Sequence, residues 1–103
     1  MSGPAAAGPQ GAAVAASRVA RIRAQLEQLA PLRREIHDES AAHAGHAGAA
    51  GGAGHFRVLV VSDAFRGRSL VQRHRLVHDA LAQMLKNEIH ALALVTKAPE
   101  ELV

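Results

Sequence analysis

Residues 55–95 read HFRVLVVSDAFRGRSLVQRHRLVHDALAQMLKNEIHALALV, and this stretch decides the fold. It opens on a run rich in Val and Leu, His55 to Ser62, and closes on another that starts at Ile89 and reaches about Lys97. Short runs of this composition make strands. Between them a turn containing Gly67 leads into a helical stretch from about Ser69 to Lys86, where Leu70, Val77, Leu81 and Met84 share one arc at helical periodicity. Arg73 and His74 fall inside that arc if the helix is continuous, which predicts a break or a short separate turn before residue 73. A helical crossover between two strands implies a parallel pair with a right-handed connection. The start of the last strand, at His90, then lies beside the start of the preceding one, at His55.

Working upstream, Ser17 is a helix-capping residue, and Val19, Ile22, Leu26 and Leu29 recur at helical spacing until Pro31 ends the helix. Arg33 to Ser40 alternates weakly and reads as the hairpin partner of the strand at His55. The joining segment, 41–54, holds only Ala, Gly and the histidines His43 and His46. It is too long for a tight hairpin turn, which points to function or disorder. Residues 1–16 bury almost nothing and are expected to form a disordered Ala/Gly/Pro tail. Residues 99–103, starting at Pro99, are expected to be frayed. The expectation is one small α+β domain over 17–98 in αββααβ order, with a three-stranded mixed sheet and helices packed on one face, similar to the type II KH arrangement.

Composition excludes several functions. The chain has 103 residues, no cysteine, no Trp, no Tyr and two Phe. Disulfides, thiol nucleophiles and zinc ribbons are therefore impossible, and metal binding falls to His, Asp or Glu. Aromatic platforms for stacking bases are scarce. No apolar run is long enough for a transmembrane helix, and the first 17 residues lack Arg and Lys, unlike a mitochondrial presequence. These features predict a soluble cytoplasmic protein. Without a P-loop, a dinucleotide fingerprint or a plausible Ser-His-Asp set, an enzyme is not expected.

Net charge is +3, but Arg66, Arg68, Arg73 and Arg75 fall within ten residues that contain no acid, with Lys86 further along the helix. Such a patch serves either solubility or anion binding. A KH-type backbone clamp needs Gly-X-X-Gly, and Arg66-Gly67-Arg68-Ser69 lacks the second glycine. In the expected topology His43, His46, His55 and His90 share one edge of the sheet, where neutral imidazoles are candidate ligands for iron or zinc.

Three separated motifs, Val61-Ser-Asp-Ala-Phe65-Arg-Gly67, Gln72 to Val77 and His90-Ala-Leu-Ala-Leu94, follow Asp38-Glu39-Ser40 in an order that closely resembles the BolA family, over about residues 18 to 97. The resemblance implies an adaptor that pairs with a monothiol glutaredoxin and shares a 2Fe-2S cluster with it and with glutathione, carrying no cofactor when alone. It assigns His90 as a cluster ligand, with His43, or His46 in its place, as the second, and His55 as structural or supporting. The neutral imidazole is the ligand, so assembly is expected to weaken in acid. Relatives regarded as stress-responsive regulators imply the alternative, DNA binding through Arg73, His74, Arg75 and Lys86, with Arg66 and Arg68 as further phosphate contacts. Alone, the protein is expected to be a monomer or a weak homodimer.

Overall fold

The computed structural model describes residues 7–40 and 53–102, with side chains from Ser17 onward. Helix α1 (Ala7–Leu26) passes through a 3-10 turn (Glu27–Leu29) into strand β1 (Arg33–Asp38), followed by β2 (Gly54–Val61). A second 3-10 turn (Asp63–Phe65) leads to α2 (Leu70–Ala80), α3 (Ala82–Leu85), β3 (Ile89–Lys97) and a closing 3-10 turn (Pro99–Leu102). The sheet order is β1-β2-β3, with β1 antiparallel and β3 parallel to the central strand.

Phe56, Val58 and Val60 alternate along β2 into one core with Ile22, Leu26 and Leu29 from the first helical segment and Phe65, Val77, Leu81 and Met84 from the crossover. The intervening Arg57 is exposed on the other face, as the two-residue period of a strand requires. Burial of each large apolar side chain contributes about 1.5–3 kcal/mol. Ser62 joins two connections: its hydroxyl donates to the Leu29 carbonyl and accepts the Ala64 N–H at 3.0 Å. Gly67 has φ 70°, a left-handed conformation that strains other residues.

Several expectations change. Helix α1 starts at Ala7, inside the stretch expected to be a disordered tail. Alanine has the best intrinsic helix propensity, and extending an existing helix needs no new nucleus. Residues 1–6 lie outside the described residues, as do His43 and His46 with the rest of 41–52, while Gly54 belongs to β2 and not to the loop.

No break precedes residue 73. Helix α2 is uninterrupted from a reciprocal cap, in which Ser69 Oγ accepts the Gln72 N–H and Gln72 Oε1 accepts the Ser69 N–H. The discontinuity falls at Leu81, between α2 and α3. Arg73 and His74 are half-buried at the rim of the helix layer, and Leu70, at 61 % exposed, does not join the core. The buried seam therefore begins at Val77 and leaves room for the Arg73 stem to lie along the helix edge.

Pro99–Leu102, expected to fray, forms the closing 3-10 turn, and Val103 lies outside the described residues. Glu101 accepts the Ala98 N–H at 2.7 Å and receives Arg73 from α2.

Candidate functional site

The parallel β2 and β3 strands have a histidine at one end and an arginine–glutamate clasp at the other. At the first, the register runs Gly54↔Ile89 and then His55↔Ala91, so His90 is the extra residue of a β-bulge. The bulge changes the alternation: Ile89 is buried while Ala91 is exposed, so these two do not share a face as simple alternation predicts. It also leaves His90 exposed, with its ring centroid 5.2 Å from that of buried His55 at a 50° tilt. The expected juxtaposition of His55 and His90 is thus present.

Three contacts hold this end. The Glu88 carbonyl accepts the Gly54 N–H at 3.0 Å, Ser40 Oγ accepts the His55 N–H at 3.0 Å, and Arg21 forms a bidentate pair with Glu88 that ties α1 to the turn before β3. Gly54 has no room for a side chain, since a Cβ would lie 2.6 Å from the Phe56 ring and 2.9 Å from Ser40 Oγ. Beside the histidines, Glu39, His55, Phe56, Arg57, Ala91, Leu92 and Ala93 line an open depression of about 330 Å³. Arg57 Nε donates to Glu39 at 3.0 Å on its wall. This depression was not foreseen; only the strand register, which puts Glu39 and Arg57 on the helix-free face, locates it.

Imidazole nitrogens at such a corner suit a borderline metal. Among the described residues no three His, Asp or Glu side chains converge on a metal position. His90 is an exposed imidazole at this corner, and His43 and His46, which share the sequence expectation, lie outside the described residues.

At the other end, Arg66 reaches Asp63 at 2.6 Å and Glu100 at 3.1 Å. The hydrogen bond it donates to Asp63, then the charge of Glu100, raises its pKa. Arg73, only 12 % exposed along its side chain, reaches Glu101 at 2.6 Å and the Thr96 carbonyl at 3.4 Å. The Arg73 hydrogen bond, helped by the Ala98 N–H, holds the Glu101 carboxyl down at about 2, and Glu101 raises Arg73 in turn. Arg68 Nε donates to the Ala64 carbonyl at 2.9 Å. Arg75 and Lys86 are exposed and form no ion pair among the described residues. His74 is half-buried, and its Nε2 has no hydrogen-bond partner among the described residues. Of the arginines in the basic run, Arg73 is thus paired with an acid distant in sequence, and Arg66 with Asp63 three residues before it and with distant Glu100.

A small mixed sheet covered on one face by helices, with an exposed histidine at one corner, defines a small domain of α+β class. The chain belongs to the BolA family: the family model for BolA-like protein matches residues 26–101. It is 50 % identical over 95 residues to BolA-like protein 1 of Mus musculus, covering 91 % of this chain and 67 % of that protein. It is also 50 % identical over 92 residues to SufE-like protein 1, chloroplastic/mitochondrial, of Arabidopsis thaliana, covering 84 % of this chain but only 25 % of that longer protein. The solved BolA domain of that SufE1 superposes with a TM-score of 0.73 at 49 % identity, covering 82 % of this chain and 95 % of the domain. The DNA-binding transcriptional regulator BolA of Escherichia coli is 38 % identical over 71 residues, covering 69 % of this chain and 65 % of its own. Among the described residues no helix is long and apolar enough to cross a membrane.

Proposed function

We propose that this protein is a cytoplasmic adaptor that pairs with a monothiol glutaredoxin and shares a glutathione-ligated 2Fe-2S cluster with it, for iron–sulfur trafficking or iron sensing. The observation that carries this reading is the exposed His90 in its bulge, 5.2 Å from His55 and beside an open depression. His90 donates one imidazole nitrogen, His55 buttresses the ring, and the loop histidines His43 or His46 supply the second ligand. The remaining ligands are thiolates of the partner and of glutathione. Imidazole in place of thiolate donates less charge to one iron and changes potential and lability, which suits a cluster handed onward.

The test is a titration of 2Fe-2S-loaded monothiol glutaredoxin with this protein, followed by visible absorption and circular dichroism. A saturating spectral change at one-to-one stoichiometry that is lost with His90→Ala is the expected result. An identical change with the variant would remove His90 from the iron, and no change with either protein would end the reading.

A second reading, DNA binding, is favoured by Arg75 and Lys86, which stay exposed with no ion pair among the described residues, beside a relative described as a DNA-binding transcriptional regulator. Contacts of this kind reach phosphates, so affinity should fall steeply with salt. Fluorescence anisotropy with a short duplex checks it. Binding that persists at high salt and discriminates sequences would contradict a mainly electrostatic contact.

A further inference from the structure

The two edge strands of the sheet are built differently. Strand β1, RREIHD, carries charge along nearly its whole length, with Arg33 paired to Glu35, Arg34 to Glu27 and His37 facing Glu35. Charged side chains on an edge discourage further strand pairing. Strand β3, IHALALVTK, has no Asp, Glu, Lys or Arg before Lys97, no proline, and no bulge beyond the one at His90. Ala91, Ala93 and Val95 are exposed on its helix-free face.

Its backbone is available too. The Lys97 carbonyl accepts the Ser62 N–H at 3.0 Å, so Lys97 turns its peptide groups toward β2. By alternation Ala91, Ala93 and Val95 do the same, and Leu92, Leu94 and Thr96 turn theirs outward. Arg73 confirms the direction by meeting the Thr96 carbonyl from outside, which closes the edge at that point. Among the described residues the outward groups of Leu92 and Leu94 have no such cover.

We propose that the β3 edge, centred on Ala93, pairs antiparallel with β3 of a second copy of this chain. The chemistry favours a second copy because the segment is self-complementary about Ala93. A two-fold there lets Leu92 and Leu94 of one protomer exchange N–H···O=C bonds with Leu94 and Leu92 of the other. Ala93 meets its own mate at the close, non-hydrogen-bonded position, where a small side chain fits. Ala91 lies opposite Val95, no like charges oppose, and Lys97 falls opposite Ile89. The ladder is short, ending at the Arg73 closure, so the dimer is weak and dependent on concentration.

The chain has no cysteine, which allows a direct test on the full protein. In the dimer two Ala93→Cys residues would lie within the Cα separation of about 4.4–6.8 Å that a disulfide requires. Two Ala91→Cys residues would be about 13 Å apart at strand rise. Both positions are exposed, and far-UV circular dichroism is the check that each variant folds. Under mild oxidation at equal concentration, Ala93→Cys should form the covalent dimer at least about tenfold faster than Ala91→Cys, and the wild type should self-associate by sedimentation equilibrium. Equal cross-linking rates overturn the proposal. So does a wild type that stays monomeric at millimolar concentration, or β3 amides that gain exchange protection only when glutaredoxin is added. The proposal is independent of the cluster reading, because its test contains no iron.

Discussion

The two ends of β3 differ in how their polar groups are satisfied. Near Lys97, Arg73 and Arg66 are matched by Glu101, Glu100 and Asp63, and the short terminal turn is held against α2. Near His90 a bulge displaces the strand, the ring is exposed, and a close-packed Gly54 fixes the neighbouring backbone. Exposed ion pairs add little stability individually, but several sharing one segment position it. The comparison teaches that a high local charge density does not by itself mark a binding surface. Charge that is already answered positions the chain, and the ligand role proposed above falls to the end whose imidazole faces outward.

Substitutions should separate the two ends. The largest effect is expected from Phe65→Ala, a fully buried ring at the clasp end; it should cost about 3–5 kcal/mol in urea unfolding. A loss below about 1 kcal/mol would mean that this end does not share the core.

Gly54→Ala should cost about 1–3 kcal/mol, because the added Cβ meets the Phe56 ring and Ser40. Its amide chemical shift changes should centre on His55 and His90 and leave Arg73 and Glu101 in place. Changes spread evenly over both ends would refute the separation.

The acid limb of stability comes next. Glu101 sits at about 2 against an ordinary 4.5, and Glu35 is lowered by its hydrogen bond and charge contact with Arg33. Lowered carboxylates stabilise fully above their unfolded value and lose that contribution as pH falls toward the folded value. Stability should therefore fall between about pH 5 and pH 2. Glu101→Gln should flatten that fall relative to wild type, measured by melting temperature across the range. An unchanged acid limb would show that the clasp does not form in solution.

The smallest stability change is expected from His90→Ala, within about 0.5 kcal/mol as for other exposed positions, although it removes the proposed ligand. Thermal melting of the protein alone, set beside the spectral titration, measures both properties. A large destabilisation would make His90 a structural residue and weaken the comparison.

Much of the scaffold was legible because hydrophobic period is a local property. Val77, Leu81 and Met84 marked the buried arc, Val58 and Val60 the central strand, and the crossover between two strands implied a parallel pair. The motif at His90-Ala-Leu marked the family, and topology brought His55 beside His90. Several expectations failed, one through local propensity and others through a distant partner. The tail expected before Ser17 is helical from Ala7, because alanine extends a helix even with little to bury. The break expected before Arg73 is absent, because that side chain has a partner at Glu101, far along the chain. For the same reason the run of arginines looked free of acids in the linear sequence and is not in the fold.

By itself, then, the sequence determined element order, the core faces, the absence of thiol chemistry and the family, since each follows from residue type and nearby spacing. Only the tertiary structure decided which arginines are neutralised, where the bulge exposes His90 and which sheet edge is bare. Those properties depend mainly on contacts between segments tens of residues apart, and on a one-residue shift in strand register that no local periodicity records.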